Sequence, residues 1–308
     1  MTQFDFVGFG ALNVDKLFKV NRIAHAEEES QITIHSETCG GSAANTAVGL
    51  ARLSCKVGFV GKVGEDREGN MLLKDFGEEG VDVNGIVLAK YGESGTVMGF
   101  VDEQGQRALY IHSGVNDAIG SEEISRDYAT QARFIHLSSF VGEKSFQTQK
   151  EILKTLPENV KVSFDPGVLY ARRGIKQIEP IIKRTYLMMP NAIEIALITS
   201  EKDYEKAADI LLEEGVKVVA VKLGSEGCYI TDGAHQHKVN AFKVPVVDTT
   251  GAGDAFNAGF LYGLLKGMSL LECGRLGNFV ASRCVMKMGA RTSLPYAKEL
   301  KLLDQMAQ

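Results

Sequence analysis

From about residue 133 onward, short apolar runs alternate with amphipathic stretches of helical spacing. FIHLSS, VKVSFDPG and VKVVAVKLG are rich in Val, Ile and Phe and predict buried strands. EKSFQTQKEILKTL and YEKAADILLEEG, which lie among them, predict helices. Strands that are apolar on both faces, alternating with helices, are typical of a parallel sheet covered on both sides. The pattern therefore predicts an α/β domain with a mostly parallel central sheet.

The N-terminal part continues this alternation. FDFVGFGALNVD (residues 4–15) predicts a first strand, and the apolar spacing within residues 40–55 predicts a helix. Residues 56–64 predict a buried strand, and residues 66–80 a helix that ends at Gly80. We find no internal repeat and no Pro- or Ser-rich linker, so a single domain over residues 1–308 is expected.

A different pattern marks residues 95–112, where two β-rich runs flank the turn sequence DEQGQ (102–106). Polar turn residues between two such runs predict a hairpin. Together with the β-rich segment at 30–40, this hairpin predicts a small antiparallel sheet beside the main domain.

Composition narrows the function classes. The 308 residues carry a net charge of −5, and no segment combines clustered Lys and Arg with aromatic residues, so nucleic acid is not an expected partner. The N-terminus lacks the pattern of a signal peptide, and no apolar run is long enough to cross a membrane. The five cysteines are scattered without a CxxC pair, which favours reduced thiols and a cytoplasmic protein.

Two familiar phosphate-binding motifs are incomplete. GFVGKVG contains Gly-Lys, but Val63 stands where a P-loop has Ser or Thr. GFGALN supplies Gly8 and Gly10, but Asn13 replaces the third glycine of a dinucleotide-binding fingerprint. A nicotinamide-dependent dehydrogenase is therefore a minor alternative.

VVDTTGAGDAFNAGF (246–260) is the most informative stretch. It joins a β-rich run to a helix, and the unpaired N–H groups and dipole of a helix N-terminus form an anion site. Gly251 and Gly253 allow the backbone to approach a phosphate closely. Asp254 alone would be explained as a charge that stabilises the helix N-terminus. Because a glycine-rich anion site and a second carboxylate, Asp248, accompany it, we favour a functional role.

This stretch resembles the signature of the ribokinase-like (PfkB) family of carbohydrate and nucleoside kinases. CGGSAANTAVGLARL (39–53) is similar to the family's other signature, in the expected order. The resemblance implies a three-layer ribokinase-like fold and ATP-dependent phosphorylation of a hydroxymethyl group. It also implies a β-sheet lid, formed here from about residues 13–39 and 92–113, which closes over the substrate. Because an exposed β-strand edge tends to be paired, we expect a homodimer that forms through the lids.

The resemblance assigns roles to single residues. Asp254 matches the catalytic base, and the N–H groups of Gly251, Ala252 and Gly253 match the anion hole. PNAIE resembles the family's NxxE motif, in which Asn191 and Glu194 would organise Mg²⁺ through water, although a helix cap explains this Asn equally well.

Nucleotide and cation sites follow from the same resemblance. KLGSEG is similar to the nucleotide loop, and residues after it match the adenine pocket and a loop that holds an activating K⁺ in many members. The implied ATP-binding residues are Lys222, Gly224, Ser225, Gly227 and Asn278, and the implied K⁺ residues are Asp248, Thr250, Gly289 and Ser293.

The implied substrate residues lie far upstream. Asp15, expected at the end of the first strand, would accept hydrogen bonds from sugar hydroxyls. The opposite side of the substrate site would be formed by Gly40, Gly41 and Asn45, with Asn116 as a further polar contact.

Some features leave the substrate open. Ser138 and Ser139 occupy the region where ribokinases carry a glutamate that holds ribose, which weakens the case for ribose itself. Arg172 and Arg173 form either a solvated basic loop or a contact to an acidic sugar. A nucleoside kinase of the same family and a non-catalytic sugar or nucleotide sensor remain alternatives.

Two further candidates have simpler explanations. His235 and His237 lack partners at metal-ligand spacing, so a surface hairpin is favoured over a metal site. Cys39, next to Gly40, is expected to be a packing residue.

Overall fold

The computed structural model describes residues 3–104 and 106–305, so Gly105 of the predicted DEQGQ turn lies outside the described residues. The strands are β1 (Phe4–Phe9), β2 (Asn13–Val20), β3 (Ile32–Gly40), β4 (Val57–Gly64), β5 (Val81–Asp82), β6 (Ile86–Ala89), β7 (Gly95–Val101), β8 (Arg107–His112), β9 (Ala132–Ser138), β10 (Lys161–Asp165), β11 (Thr185–Met188), β12 (Val218–Lys222), β13 (Cys228–Thr231) and β14 (Gln236–Val239).

The helices alternate with these strands over most of the chain. They are α1 (Ser42–Arg52), α2 (Arg67–Glu78), α3 (Arg126–Thr130), α4 (Glu143–Thr155), α5 (Gly167–Ala171), α6 (Gly174–Ile182), α7 (Ala192–Thr199), α8 (Tyr204–Glu213), α9 (Ala252–Leu265), α10 (Leu270–Cys284) and α11 (Leu302–Gln305). Short 3₁₀ turns include Gly114–Ala118 and Gly224–Glu226.

The large sheet has the strand order β14-β13-β12-β11-β10-β9-β1-β4-β5, and β6 pairs with β4. Only the pairs that involve β13 are antiparallel, so the predicted mostly parallel sheet is confirmed. The chain leaves β1 toward β4 and later returns on its other side with β9. The carboxyl ends of β1 and β9 therefore form a switch point, where such sheets bind their ligands.

Alternation along the strands separates two apolar layers. On β1, Phe6 joins a cluster with α1, α2, α9 and α10, whereas Val7 and Phe9 join a cluster with α4, α6, α7 and α8. Each fully buried side chain of this size contributes about 1.5–3 kcal/mol of transfer free energy. Helices on both faces of the sheet give the predicted three-layer α/β fold.

A separate small sheet has the order β3-β2-β7-β8. The pairs β2–β3 and β7–β8 are antiparallel, but β2 and β7 run parallel, so the prediction of a purely antiparallel sheet was wrong. The predicted strand 4–15 is likewise two strands in different sheets. Leu12 lies in the short segment between these two strands. The Asn116 side chain accepts from the Leu12 N–H (2.9 Å) and donates to the Leu12 carbonyl (2.8 Å), so both backbone groups of Leu12 are hydrogen-bonded.

Two other sequence expectations can be compared with the structure. All five cysteines are buried free thiols, as predicted. Within residues 3–104 and 106–305, no helix has both the length and the apolar composition to span a bilayer.

Candidate active site

Polar side chains converge where the carboxyl ends of the central strands meet the N-termini of α1 and α9. Asp165 ends β10 and Lys222 ends β12, while Ser42 begins α1 and Asp254 lies in the first turn of α9. The strand order and the packing of α1 against α9 therefore bring together residues that are more than 200 positions apart.

The start of α9 requires glycine. Gly251 has φ 76°, and a Cβ there would lie 2.4 Å from the Cβ of Ala290. A Cβ on Gly253 would lie 3.3 Å from Lys222 Nζ, so this ammonium group stands beside the helix terminus. The Ala252 N–H donates to the Thr249 carbonyl (3.2 Å). Because the Ala252 N–H is already hydrogen-bonded within the turn, the N–H groups of Gly251 and Gly253 are the better candidates for an anion hole.

Asp254 is held by two neutral donors from α1. Ser42 Oγ donates to its Oδ1 (2.7 Å), and Asn45 Nδ2 donates to its Oδ2 (2.8 Å). Burial raises the pKa of Asp254 to about 6, although both hydrogen bonds favour the ionised form. The carboxylate is therefore mostly ionised at neutral pH and has a much greater proton affinity than an exposed aspartate.

A buried ion pair, not predicted from the sequence, lies next to Asp254. Lys222 Nζ donates to Asp165 Oδ2 (2.5 Å), as does Asn257 Nδ2 (2.6 Å). Burial opposes ionisation of Asp165, but the charge and hydrogen bonds of its partners outweigh it and lower its pKa. Burial likewise opposes the charge on Lys222, whose pKa is nonetheless raised by Asp165 and by Glu194. This site therefore carries a permanent cation beside the start of α9.

Asn191 and Glu194 form a capping box at the start of α7. Asn191 Oδ1 accepts from the Glu194 N–H (2.8 Å), and Glu194 Oε2 accepts from the Asn191 N–H (2.9 Å). The cap that explains this Asn from sequence is therefore present. Burial, followed by the charge of Asp165, raises the pKa of Glu194 to about 7.

The donor set can be compared with the needs of Mg²⁺. Among the described residues, no group of three or more His, Cys, Asp or Glu side chains could hold a metal ion. Mg²⁺ keeps several waters and needs few protein ligands, so a carboxylate such as Glu194 fits it when nucleotide phosphates supply the other oxygens.

The loop after α10 meets the loop before α9 at Asp248. Its Oδ1 accepts from the Thr250 N–H (3.0 Å) and Oγ1 (2.7 Å), and its Oδ2 accepts from the Gly289 N–H (2.9 Å). The structure thus brings Asp248, Thr250 and Gly289 together. Ser293 Oγ is buried and has no hydrogen-bond partner among the described residues, which leaves an oxygen that fits a cation ligand.

Asp15 lies in the small sheet, beside Gly40 at the end of β3. It is the third residue of β2 in the small sheet, not the end of the first strand as expected. A Cβ on Gly40 would lie 2.3 Å from Asp15 Oδ2, so glycine is what permits this approach. Burial raises the pKa of Asp15 to about 6, against the opposing charge of Arg291. Gly41 has φ 108°, and a Cβ there would collide with the Ala11 carbonyl, 2.2 Å away.

Arg291, also missed from the sequence, connects the Gly40 backbone through Asn45 to Asp254. It is 8% exposed, and its Nε donates to Asn45 Oδ1 (2.8 Å) while the amide group of Asn45 reaches Asp254. Arg291 lies in GARTS, which the family resemblance connects with the cation loop, and that position is the one sequence feature that places it near the site.

Asn116 and Asn278, predicted to contact the substrate and the adenine, hydrogen-bond to backbone groups through their side-chain amides. Asn116 is 1% exposed and bonds to Leu12 and to Asn13 Oδ1 (3.0 Å). Asn278 Nδ2 donates to the carbonyls of Val239 (2.9 Å) and Asn240 (3.1 Å). Both amides therefore hold backbone segments in place, as residues that support the walls of a site do.

The predicted nucleotide loop is a tight turn after β12. Gly224 and Gly227 have φ 60° and 101°, and a Cβ on Gly227 would lie 2.0 Å from the Val239 carbonyl. Ser225 is exposed at its tip, whereas Lys222 points toward Asp165. Lys222 thus lies at the start of α9 rather than along this turn.

The remaining candidates lie outside this cluster. Arg173 pairs with Glu143 (2.7 Å), and Arg172 is exposed. His235 is exposed in the β13–β14 turn, where its N–H donates to Asp232 (2.7 Å). Cys39 is buried, and burial raises the pKa of its thiol to about 12, as suits a packing residue.

Comparison with known proteins extends this picture. A model of the pfkB family of carbohydrate kinases matches residues 5–297. An uncharacterized sugar kinase of Archaeoglobus fulgidus is 51% identical over 251 residues, covering 80% of this chain and 98% of the relative. An ATP-dependent ribose-1-phosphate kinase of Halopiger xanaduensis is 32% identical over 285 residues, covering 92% and 93%. The crystal structure of a Thermotoga maritima ribokinase is 29% identical, with a TM-score of 0.88 over 98% of this chain and 99% of that one.

The family match covers both glycine-rich signatures and includes all or nearly all of each described strand of both sheets. The ribokinase structure shares the three layers and nearly the full length. The chain therefore belongs to the pfkB family of carbohydrate kinases and is an ATP-dependent sugar kinase.

Proposed function

We propose that this kinase transfers the γ-phosphoryl group of ATP to a hydroxymethyl group of a free sugar, with Asp254 as the general base. One observation carries this proposal: Asp254 is fixed by Ser42 and Asn45 at the start of α9, where the helix N–H groups attract anions. A fixed carboxylate whose pKa is about 6 is ionised at neutral pH and can accept a proton.

In the reaction, the hydroxymethyl oxygen attacks the γ-phosphorus and passes its proton to Asp254. The new O–P bond forms as the bond between the γ-phosphorus and the bridging oxygen breaks, and ADP leaves with that oxygen. The N–H groups of Gly251 and Gly253 donate to the transferring phosphoryl oxygens. Such preorganised donors supply much of the catalysis in phosphoryl transfer.

Lys222 adds charge at the same place. Its ammonium group stands beside Gly253 and is kept protonated by Asp165. We place it on the γ-phosphate, at the end of the nucleotide rather than along its ribose. Gly224, Ser225 and Gly227 then form the turn near the nucleotide, and Asn278 supports the adenine wall through the backbone at 239–240.

Two cations belong to the proposal. Mg²⁺ would be held near Glu194 and Asn191 through water, and when bound it neutralises phosphate charge. An activating K⁺ would lie between the loops joined by Asp248, with oxygens from Thr250, Gly289 and Ser293.

Substrate recognition is assigned to Asp15, Asn45 and the backbone at Gly40 and Gly41. Asp15 accepts hydrogen bonds from sugar hydroxyls, and the glycines allow the sugar to lie close to the chain. A second candidate acceptor is a phosphorylated pentose. It is favoured by the 32% identity with a ribose-1-phosphate kinase and by the exposed Arg172.

A substrate panel separates these candidates. Purified protein with Mg-ATP would be tested for ADP release with free pentoses and hexoses, pentose phosphates and nucleosides. Turnover restricted to nucleosides would exclude the sugar proposal, and no turnover with any acceptor would favour a sensor.

Asp254→Asn tests the base. We expect kcat to fall about 100-fold to 10,000-fold, with ATP affinity retained, because the variant keeps the shape but cannot accept the proton. Near-normal turnover by this variant would exclude Asp254 as the base.

We further propose that the small sheet closes over the sugar and pairs with a second copy. Leu109 and Ile111 are 60% and 54% exposed and share a face with Leu17 and Asp15, as the strand register requires. Burying such apolar side chains against a second copy is favourable. Leu109→Glu should convert a dimer to a monomer in analytical ultracentrifugation, and an unchanged mass would exclude this interface.

A further inference from the structure

We infer that Arg291 is a positioning residue for phosphoryl transfer, acting on the base Asp254 through the side chain of Asn45. The inference rests on the proposed role of Asp254 and adds a residue that is not itself in contact with it. The observation is a continuous pair of hydrogen bonds, Arg291 Nε to Asn45 Oδ1 (2.8 Å) and Asn45 Nδ2 to Asp254 Oδ2 (2.8 Å).

The chemistry of the donors fixes the orientation of the Asn45 amide. An amide side chain can turn over and exchange its oxygen and nitrogen at little cost when its neighbours accept either end. Arg291 carries only donors, so it can bond only to the amide oxygen of Asn45. The amide nitrogen must then face Asp254, where an ionised carboxylate needs a donor.

Arg291 is itself held in place from two other sides. One of its terminal nitrogens pairs with Asp75 on α2, and the other lies 3.4 Å from the Gly40 carbonyl. The Arg291 side chain is buried, whereas its partner Asp75 is 29% exposed, so solvent reaches the guanidinium group only from the Asp75 side. The guanidinium group therefore ties α2 and the Gly40–Gly41 backbone to the amide that holds the base.

This arrangement also limits what Asn45 can do to a substrate. Its oxygen is occupied by Arg291, and one of its two amide hydrogens is directed to Asp254. Only the second hydrogen remains for another partner. Asn45 is thus a donor toward the sugar and selects a hydroxyl oxygen that accepts, while Asp15 selects a hydroxyl that donates.

Arg52 provides a matched control. It also joins α2 to the loop after α10, because it pairs with Glu79 and donates to the carbonyls of Arg291 (2.6 Å) and Leu294 (3.2 Å). Within the described part of the chain, its hydrogen bonds go to Glu79, Arg291 and Leu294, and none goes to Asn45 or Asp254. Arg52→Lys therefore weakens the attachment of the same loop at the carbonyls of Arg291 and Leu294, without removing the hydrogen bond to the amide.

The test compares Arg291→Lys with Arg52→Lys, both of which keep the positive charge. For Arg291→Lys we expect kcat to fall on the order of 100-fold with KM for ATP unchanged, because a misdirected base loses the reactive geometry. We also expect the acidic limb of the pH profile of kcat to move to higher pH. The titratable groups that interact with the charge of Asp254, which are Asp165, Lys222, Glu194 and Cys284, are unchanged in this variant, as are the donors Ser42 and Asn45 themselves. Arg52→Lys should lower thermal stability with kcat and its pH profile unchanged.

A double-variant cycle tests whether Arg291 acts through Asn45. Asn45→Leu removes the connecting amide, so Arg291→Lys added to Asn45→Leu should lower kcat no further. Additive losses would overturn the inference, as would a kcat and pH profile for Arg291→Lys that match those of Arg52→Lys. If Arg291→Lys does not fold, Asp75→Asn loosens the same guanidinium group. Asp75→Asn should lower kcat less than Arg291→Lys does, with KM for ATP unchanged. An unchanged kcat for Asp75→Asn would also overturn the inference.

Failure of the proposed function gives a different result. If Asp254→Asn retains turnover, then Asp254 is not the base and there is nothing for Arg291 to position. If Asp254→Asn is inactive while Arg291→Lys behaves like its control, only the positioning role is lost.

Discussion

Asp165 and Asp254 lie in the same end of the molecule and are both largely removed from solvent, but their partners differ in charge. Asp165 is paired with Lys222 and its pKa is lowered. Asp254 is held by the neutral donors Ser42 and Asn45, and its pKa is raised to about 6. The charge of the partner decides the outcome: a cation makes a carboxylate a permanent anion, whereas neutral donors leave it able to exchange a proton near neutral pH.

Among these predictions, removal of the Lys222 ammonium group should have the largest effect on stability. Lys222→Met leaves Asp165 as an unpaired buried charge, so we expect the free energy of unfolding to fall by about 3–5 kcal/mol. The measurement is urea denaturation at pH 8. Adding Asp165→Asn to Lys222→Met should restore most of the loss.

Lys238→Met is the matched control, since its partner Glu205 is at the surface and such pairs contribute about 0–1 kcal/mol. If Lys222→Met and Lys238→Met lower the free energy of unfolding equally, then burial does not make the pair of Lys222 with Asp165 more costly to break than a surface pair.

The second prediction concerns stability and pH at Asp254. Its folded-state pKa of about 6 exceeds the ordinary value of 3.8, so the folded state binds the proton more tightly and the ionised group destabilises the fold. This cost grows between pH 4 and pH 6 and is complete above that range. Asp254→Asn should therefore stabilise the protein by about 1–3 kcal/mol at pH 8 and by less at pH 4.

Asp165→Asn should have the opposite sign at pH 8, because it leaves Lys222 without its partner. Thermal melts of both variants at pH 4 and pH 8 check this pair of predictions. Stabilisation by both substitutions at pH 8 would contradict the comparison.

The smallest expected effect comes from one hydrogen bond. Ser42→Ala removes a donor that favours the ionised form of Asp254, so its pKa should rise further. The acidic limb of kcat/KM should move to higher pH by about one unit, equivalent to about 1.4 kcal/mol. Ser145→Ala is the control, because Ser145 Oγ bonds to the Asn116 carbonyl (2.7 Å) and not to Asp254. A shift of the same size in both would contradict this prediction.

The sequence predicted the parts of this molecule that local pattern determines. The β-α alternation predicted a parallel sheet covered by helices on both sides, and the glycines at 251 and 253 next to Asp254 predicted the N-terminus of a helix. Both rest on neighbours within a few positions. The capping box of Asn191 and Glu194 belongs to the same class.

What was missed depends on distant partners. The pairs Asp165–Lys222 and Asn45–Arg291 are separated by 57 and 246 positions, and no periodicity relates them. Asn257 follows Asp254 by three positions on α9 and could have been placed on the same helix face. The break after β1 was also missed, because Asn116 supplies the hydrogen bonds that let the chain change sheets at Leu12.

The contact between Ser42 and Asp254 spans 212 positions and has a consequence for how the enzyme is made. During synthesis, α1 leaves the ribosome long before α9, so for most of translation Ser42 and Asn45 lack the carboxylate of Asp254 to which they bond. At about 5–20 residues per second, that interval lasts on the order of ten seconds or more. With Asp254 as the proposed base, we expect the nascent chain to transfer no phosphoryl group until α9 and the loop that carries Arg291 have docked on α1.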